Sequence, residues 1–196
     1  MAHTTPALVS NQACWIETGS QLNMTFAGSG WTPGDTVSYS DSQGGYGTGT
    51  VAADGSISLT IPAPGIVLDQ PGFKQVTATL TDYDTNQSAT TSFDLTELDA
   101  QPSQTATKPN KKVTWRFSGF TPGQRVYGHF IYKGRQAALA SYGKASGPCG
   151  LLTVRQPLFP AGRPKHSRYT IQFDSSKKYS KATTPALHDT FTFMVF

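Results

Sequence analysis

A sequence segment that occurs twice constrains the fold of this chain more than any other feature. Phe26–Val37 reads Phe-Ala-Gly-Ser-Gly-Trp-Thr-Pro-Gly-Asp-Thr-Val, and Phe117–Val126 repeats it as Phe-Ser-Gly-Phe-Thr-Pro-Gly-Gln-Arg-Val, two residues shorter. The copies begin about 90 residues apart, which is close to the length of one two-sheet β-sandwich. A chain of 196 residues has room for two such domains, each with its own apolar core. The repeat therefore predicts two tandem domains of one fold.

The two halves of the chain carry opposite net charge. Up to Ala100 there are one base and ten acids, a net charge of −9, and from Gln101 onward there are fifteen bases and two acids, a net charge of +13. The overall charge of +4 therefore conceals a dipolar molecule. Opposed electrostatic fields on two similar domains favour docking and assembly over catalysis, so we expect no enzymatic activity.

Strand signals recur along the chain with turn residues between them, and helical periodicity is absent. Met24 and Phe26 alternate with polar neighbours and lead into Thr32–Asp35. The Thr-Pro-Gly-Asp order predicts a type II turn, because glycine adopts a positive φ at little cost. Asp54 and Gly55 between two alternating segments predict a β-hairpin. About seven strands are expected in the first half.

Composition sets the expected domain boundaries. Residues 99–112 contain two prolines and mostly polar side chains, and their charge changes sign, as in a linker. We therefore expect an acidic domain over residues 1–98 and a basic domain over residues 113–196. The last predicted strand carries Phe191, Phe193 and Val195. Such an apolar strand is expected to be paired or buried, and a partner is one candidate to cover it.

The Phe-x-Gly and Thr-Pro-Gly elements of Phe26–Val37 and Phe117–Val126 resemble bacterial immunoglobulin-like domains, which recur in surface proteins and in virion proteins of tailed phages. This resemblance covers both halves and implies an all-β fold of two tandem immunoglobulin-like β-sandwiches joined by a polar linker. Val126–His129, Gly147–Gly150 and Gln172–Ser180 are similar to a basic C-terminal domain of uncharacterised actinobacterial proteins. The second resemblance implies an actinobacterial host lineage and no particular activity.

This context resembles that of phage virion accessory proteins and implies head decoration, with a viral capsid or tail protein, and further copies of the chain, as partners. The first residues show neither the basic segment nor the apolar core of a signal peptide. Assembly in the host cytoplasm and a place in the virion are therefore expected. The basic half is the expected anchor, through the side chains of Arg116, Arg125, Lys133, Arg135, Arg155, Lys177 and Lys178.

An alternative from another functional class stays open. A secreted cell-surface adhesion module would use the same basic half to bind an anionic wall polymer or a glycan, with Tyr46 as a possible glycan contact. The bases follow no nucleic-acid-binding motif, so nucleic acid is not the favoured partner. Membrane insertion is not expected either, because no apolar stretch approaches the roughly 18 residues of a membrane-spanning helix.

The two cysteines, Cys14 and Cys149, lie one in each half. In a protein assembled in the cytoplasm we expect two buried thiols, whereas the adhesion alternative predicts an oxidised Cys14–Cys149 pair. Ser146–Gly150 resembles the Ser-x-Gly-Cys element of L,D-transpeptidases. Pro148 stands at the glycine of that element, however, and Leu151 replaces its usual arginine. A structural cysteine in a tight turn is therefore expected rather than a nucleophile.

Metal and cofactor sites are not expected. The histidines at positions 3, 129, 166 and 188 show no metal-ligand spacing. Asp82, Asp84 and Asn86 offer oxygens at alternate positions, as at the start of an EF-hand loop, but the glycine and the bidentate glutamate of that loop are missing. A solvated hairpin tip explains this segment equally well.

Overall fold

The computed structural model describes residues 5–18, 22–105, 111–160 and 167–193, and it is all-β over these ranges. The strands that it describes are β1 (Ala7–Ser10), β2 (Cys14–Glu17), β3 (Asn23–Ser29), β4 (Thr36–Asp41), β5 (Tyr46–Thr50), β6 (Ile57–Pro62), β7 (Lys74–Asp82), β8 (Ser88–Glu97), β9 (Asp99–Pro102), β10 (Lys112–Ser118), β11 (Arg125–Tyr132), β12 (Arg135–Lys144), β13 (Leu152–Pro157), β14 (Ser167–Asp174) and β15 (Leu187–Phe193). Within the described ranges there is no helix with the length and apolar character needed to cross a membrane.

The chain divides into two compact units. Unit 1 comprises Met1–Val67 and Phe73–Thr96, and unit 2 comprises Leu68–Gly72 and Glu97–Phe196. Strands β1 to β8 belong to unit 1, apart from the last residue of β8, and β9 to β15 belong to unit 2. Each half of the sequence therefore builds most of one unit.

Part of the predicted linker is a strand. Asp99–Pro102 forms β9 and pairs antiparallel with β10, with Ala100 opposite Phe117. Ala100 is only 1% exposed and belongs to the apolar core of unit 2. Ser118 also donates its hydroxyl hydrogen to the carbonyl of Glu97 at 2.8 Å. Unit 2 therefore starts earlier than residue 113. Composition did not reveal this strand, because a single buried alanine between polar neighbours looks like part of a polar linker. Residues 106–110 of the predicted linker lie outside the described residues.

Unit 1 is a sandwich of two antiparallel sheets with strand orders β1-β3-β6 and β2-β8-β7-β4-β5. Its core lies between the sheets. The ring centroid of Phe26 on β3 lies 5.0 Å from that of Tyr39 on β4 and 5.4 Å from that of Phe93 on β8. Met24 and Phe26 are both fully buried, as their alternation with polar residues predicted.

Unit 2 repeats this plan with strand orders β13-β10-β9 and β12-β11-β14-β15. The rings of Trp115 and Phe117 on β10 each lie 5.6 Å from that of Phe173 on β14, in the opposite sheet. In both units the two strands that flank the repeated turn lie in different sheets, which is the arrangement of immunoglobulin-like sandwiches. The predicted all-β fold of two tandem immunoglobulin-like β-sandwiches is confirmed.

The repeated Thr-Pro-Gly turn carries the chain from one sheet to the other in both units. Gly34 and Gly123 have φ values of 86° and 80°. The fourth residue of each turn donates its backbone N–H to the carbonyl of the first, at 3.3 Å in unit 1 and 3.1 Å in unit 2. A positive φ at the third position is the mark of a type II turn, so this prediction is confirmed.

The predicted hairpin at Asp54 and Gly55 is wrong. A turn is present, since Gly55 has a φ of 78° and donates its N–H to the carbonyl of Ala52 at 2.9 Å. The strands on either side do not pair with each other, however: β5 pairs with β4, and β6 pairs with β3 in the other sheet. The Asp-Gly signal is local and specifies only that the chain reverses. The pairing of β6 with β3 depends instead on the burial of Leu59 and Ile61 in the core.

Candidate functional site

The outer face of sheet β13-β10-β9 carries a row of basic side chains. Core residues of β10 alternate with Lys112, Thr114 and Arg116, which point away from the core. Arg155 on β13 lies opposite Thr114 and is exposed. Arg155 is thus a diagonal neighbour of both Lys112 and Arg116, and such positions are about 7–8 Å apart on a sheet. We call Lys112, Arg155 and Arg116 the cationic stripe.

The neighbours of the cationic stripe are mostly uncharged. Thr153 and Gln101 lie opposite Arg116 on the two adjacent strands. Asp99, the next outward residue of β9, uses its two oxygens to accept the N–H of Ala100 at 2.7 Å and the side-chain amide of Gln101 at 3.0 Å. Within the described ranges, the ion pair found in unit 2 lies away from the stripe. The three cations therefore stay available to an external anion.

Arg125, Lys133 and Arg135 belong to the other sheet of unit 2. Arg125 begins β11 and donates to the hydroxyl of Ser141 at 3.2 Å. Lys133 lies in the turn between β11 and β12, with its ammonium 5.4 Å from the ring centre of Tyr132, and Arg135 begins β12 just after it. The basic residues that the sequence singled out are therefore divided between the two outer faces of the sandwich and do not form one surface.

Lys177 and Lys178 are exposed in residues 175–186, the loop that connects β14 to β15. This loop packs over the outer side of β11 and β14. The ring of Tyr179 lies 5.6 Å from that of His129 on β11, and the carbonyl of Ser180 accepts a hydrogen bond from Gln172 at 2.9 Å. The two lysines are thus displayed by a loop that is fastened to the sheet beneath it.

A buried polar network fastens that loop. His129 and Asp174 are fully buried on adjacent strands, and Nε2 of His129 lies 3.3 Å from Oδ1 of Asp174. The same Nε2–H donates to the carbonyl of Ser176 at 2.9 Å. Asp174 in turn accepts the backbone N–H of Ser176 at 2.7 Å and the amide of Gln172 at 2.6 Å. The histidine therefore has a structural role, and in the part of the chain described it belongs to no group of metal-ligating side chains.

Unit 1 gathers three carboxylates at one end. Asp35 follows the Thr-Pro-Gly turn, Asp82 ends β7, and Asp84 lies in the following turn; one oxygen of each lies within 4.8 Å of the others. Asp82 is fully buried and accepts the N–H of Asp84 at 2.9 Å and the hydroxyl of Thr85 at 2.7 Å. The expectation of a solvated tip is therefore wrong for Asp82, whose carboxylate closes the turn. Asn86 lies in the same turn with a positive φ of 56°.

Crowding of these carboxylates changes their acidity. Loss of hydration, and then the charge of Asp82, raise the pKa of Asp35 above its ordinary value of 3.8. Loss of hydration also opposes ionisation of Asp82, but hydrogen bonds from Thr85 and from the backbone of Asp84 outweigh it and lower the pKa of Asp82. Asp35 is therefore the carboxylate of this pair that takes up a proton first as the pH falls.

Tyr46 is 64% exposed, as a glycan contact requires, but it begins edge strand β5 instead of lying in a loop. The glycines that follow it explain the unusual composition of this strand. Gly47 and Gly49 lie against Ile61 and Leu59 of the other sheet, where a Cβ atom would overlap those side chains. The absence of a side chain at both positions therefore leaves room for Ile61 and Leu59 as they are packed here.

A second aromatic residue of the first half, Trp31, is not available to a ligand. Trp31 is 3% exposed and donates its Nε1–H to the carbonyl of Ala7 at 3.3 Å. Phe120, at the same place in the second copy of the repeat, is 2% exposed. The aromatic residue that precedes the Thr-Pro-Gly turn is therefore buried in both units.

Neither cysteine is a free thiol, since Cys14 and Cys149 are both disulfide-bonded. The prediction of two buried thiols is therefore wrong as to oxidation state, although both residues are buried, at 6% and 2% exposure. Thiols were expected only because assembly in the cytoplasm was expected, and nothing in the sequence around the two cysteines indicates their oxidation state. An oxidised sulfur is not a thiolate, so Cys149 in this state offers no nucleophile.

Sequence reasoning missed three residues of unit 2. Lys112 was assigned to the linker, although its alternation with the core residues of β10 places it on the outer face. Gln172 and Asp174 alternate with apolar residues of β14 and lie on its outer side, where only a covering loop can bury them. Several predicted features cannot be placed: His3, His166 and Val195 lie outside the described residues, and so do the side chains of Phe191 and Phe193.

No family model matches this chain, and none of the curated proteins matches it. Solved structures do. The chain aligns over 95% of its length with a tetra-tandem repeat in the extending region of a large adhesion protein, at 16% identity and a TM-score of 0.32, and spans 49% of that chain. The chain also aligns over 96% of its length with the D00–D0 domain of intimin, at 14% identity and a TM-score of 0.45, and spans 99% of that chain. With trypsin-activated alpha-2-macroglobulin from Escherichia coli it aligns over 95% of its length, at 12% identity and a TM-score of 0.39, and spans 17% of that chain. At this level of similarity the comparisons identify no family.

Proposed function

We propose that this chain is a non-enzymatic adhesion module that is exported to the cell surface, where the basic unit 2 binds an anionic partner. The observation that carries this proposal is the state of the cysteines, both of which are disulfide-bonded. Structural disulfides form and persist in oxidising compartments and are rare in the cytoplasm. The adhesion alternative predicted this oxidised state, whereas assembly in the host cytoplasm predicted two thiols.

The state of the chemically reactive side chains supports a role without catalysis. Cys149 is oxidised, and His129 is fully buried with its Nε2–H donated to a backbone carbonyl. Asp174 accepts hydrogen bonds from Gln172 and from the backbone of Ser176. A general base must come within hydrogen-bond reach of a substrate proton. His129 and Asp174 lie beneath the loop of residues 175–186 and fasten it instead.

The charge of unit 2 supports an anionic partner. Thirteen more bases than acids follow Ala100 in the sequence. Such a field concentrates anions near the surface and accelerates their association. The exposed members of the predicted basic set (Arg125, Lys133, Arg135, Arg155, Lys177 and Lys178) contribute to this field from both sides of the sandwich.

Immunogold electron microscopy of the producing cells tests this function. Antibodies raised separately against unit 1 and unit 2 are expected to label the cell envelope. Protein isolated from the same cells under denaturing, non-reducing conditions should show no alkylated cysteine, and a reduced aliquot should show two. Gold confined to the cytoplasm, or two reactive thiols before reduction, would contradict the proposal.

Head decoration of a phage particle is the second candidate, and the opposite charge of the two halves favours it. A half of −9 and a half of +13 suit contacts with a capsid protein or with a neighbouring copy of the chain. Gold on phage heads, together with loss of incorporation when residues 101–196 are deleted, would support this candidate. Labelled envelopes and unlabelled particles would reject it.

A further inference from the structure

We propose that the cationic stripe of Lys112, Arg155 and Arg116 binds a linear phosphodiester polymer without bases, such as a polyol phosphate. The inference rests on the proposed adhesion function and names the chemical class of its anionic partner. It also restricts the contact to one of the two outer faces of unit 2.

The geometry of the stripe suits a chain with regularly spaced charges. Register fixes Arg155 opposite Thr114, between Lys112 and Arg116, so the Cα atoms of consecutive stripe residues lie about 7–8 Å apart along a zigzag. Strands are rigid supports, and these positions do not depend on the conformation of a loop. A flexible polymer with one negative charge in each repeat unit can place successive phosphates on successive cations.

The chemistry of the stripe suits phosphate. A guanidinium group binds phosphate oxygens through two parallel N–H···O bonds, which an ammonium group cannot do. Two such groups, Arg116 and Arg155, flank one another, and the hydroxyl groups of Thr114 and Thr153 lie beside them on the same face. Asp99, the nearest acid in the register, already accepts two hydrogen bonds, and loss of hydration raises the pKa of its carboxyl.

The surroundings of the stripe argue against nucleic acid. Single-stranded nucleic acids bind through exposed aromatic side chains on which the bases stack, in addition to basic groups. The aromatic residues of β10, Trp115 and Phe117, point into the core and are at most 1% exposed. This face can therefore bind a phosphate backbone, but β10 presents no exposed aromatic ring on which nucleic-acid bases could stack.

The surroundings of the cationic stripe also argue against an acidic protein as its partner. Protein interfaces obtain most of their affinity from buried aromatic and apolar anchors surrounded by a polar rim. The large apolar side chains that are most exposed in the described part of the chain are Val9, Tyr46, Val67, Phe73 and Tyr83, and all belong to unit 1. The stripe thus lacks the anchors that a protein partner would need, whereas a polyanion needs only the charges.

Binding of a fluorescent poly(glycerol phosphate) oligomer to the full chain, measured by anisotropy at several salt concentrations, tests the inference. The variant Lys112→Gln/Arg116→Gln/Arg155→Gln is expected to bind at least about tenfold more weakly. A matched control, Arg125→Gln/Lys133→Gln/Arg135→Gln, removes the same charge from the other sheet and should change the affinity less than about threefold. Three phosphate contacts predict a slope of about −2 for log K against log salt in the unmodified chain.

Each other outcome overturns the inference in a distinct way. An equal loss in both variants would mean that net charge, not the stripe, governs binding. Tighter binding of an oligothymidylate would assign the face to nucleic acid, and tighter binding of polyglutamate would assign it to an acidic protein. Thermal unfolding of both variants verifies that they fold. Failure of the oligomer to bind would refute the inference while leaving envelope labelling, and hence the adhesion function, intact.

Discussion

Replacing Gly150 by alanine is expected to destabilise unit 2 much more than the same change at Gly147. Both glycines lie in the turn that is closed by two backbone hydrogen bonds of 2.8 Å between Ser146 and Leu151. Both adopt a left-handed conformation, with φ values of 60° and 68°. They differ in what a methyl group would meet: nothing within 4 Å at Gly147, but the backbone of Phe120, whose carbonyl oxygen it would overlap, at Gly150.

The magnitude follows from these two contributions. A left-handed φ costs an alanine about 1–2 kcal/mol in either variant. Only Gly150→Ala must also displace Phe120, which is 2% exposed and packs edge-on against Phe117 at 5.7 Å. Overpacking a well-packed core costs about 1–3 kcal/mol, occasionally more. We therefore expect losses of about 1–2 kcal/mol for Gly147→Ala and about 2–5 kcal/mol for Gly150→Ala, the latter a large share of a domain's stability.

Urea unfolding of the full chain, followed by hydrogen exchange of peptides from β11 and β14, measures the stability of unit 2 directly. Peptides from β3 and β7 report on unit 1 and serve as an internal reference. The midpoint for unit 2 should fall slightly in Gly147→Ala and strongly in Gly150→Ala. Equal midpoints in the two variants would refute the reasoning, because the conformation of the glycine alone would then account for the whole effect.

Three further predictions concern single side chains. Asp35→Asn should raise the melting temperature at pH 7, since the raised pKa of Asp35 means that its ionised form disfavours folding. The gain should shrink as the pH falls through the raised pKa towards 3.8 and be largely lost below 3.8, and a gain independent of pH would contradict this. Tyr142→Phe should leave stability unchanged or raise it by about 1 kcal/mol in urea unfolding, because the buried hydroxyl makes no hydrogen bond to any residue that the structure describes. A clear loss would show that the hydroxyl has a partner. Asp174→Leu should accelerate hydrogen exchange in residues 175–186, because it removes the acceptor of the Ser176 backbone N–H; unchanged exchange there would mean that the network does not hold the loop.

The local features of this fold could be read from the sequence because their causes are local. A type II turn requires a positive φ at its third residue, so the Thr-Pro-Gly motif predicted the turns at Gly34 and Gly123 without any knowledge of the rest of the chain. Strand alternation likewise predicted that Met24 and Phe26 are buried. The repeat then extended the plan of one unit to the other, so the sandwich class followed.

The candidate site was only partly predictable. Arg116 and Arg155 were identified by charge, but their neighbour Lys112 was hidden by the polar composition of the segment before it. Arg125 and Lys133 have the same charge and lie on the other sheet. Charge is a property of a residue type, whereas a surface is a property of strand order and register, which the sequence pattern left open.

The sequence alone determined the alternation of each strand, the conformation of its turns and the opposite charge of the two halves, because these depend on neighbouring residues or on composition. Only the tertiary structure decided that β6 pairs with β3 rather than with β5, that Asp35 meets Asp82, and that His129 is buried against Asp174. These contacts join residues far apart in the chain. Their formation depends on which apolar faces can be buried together, and that is settled by the packing of the whole unit.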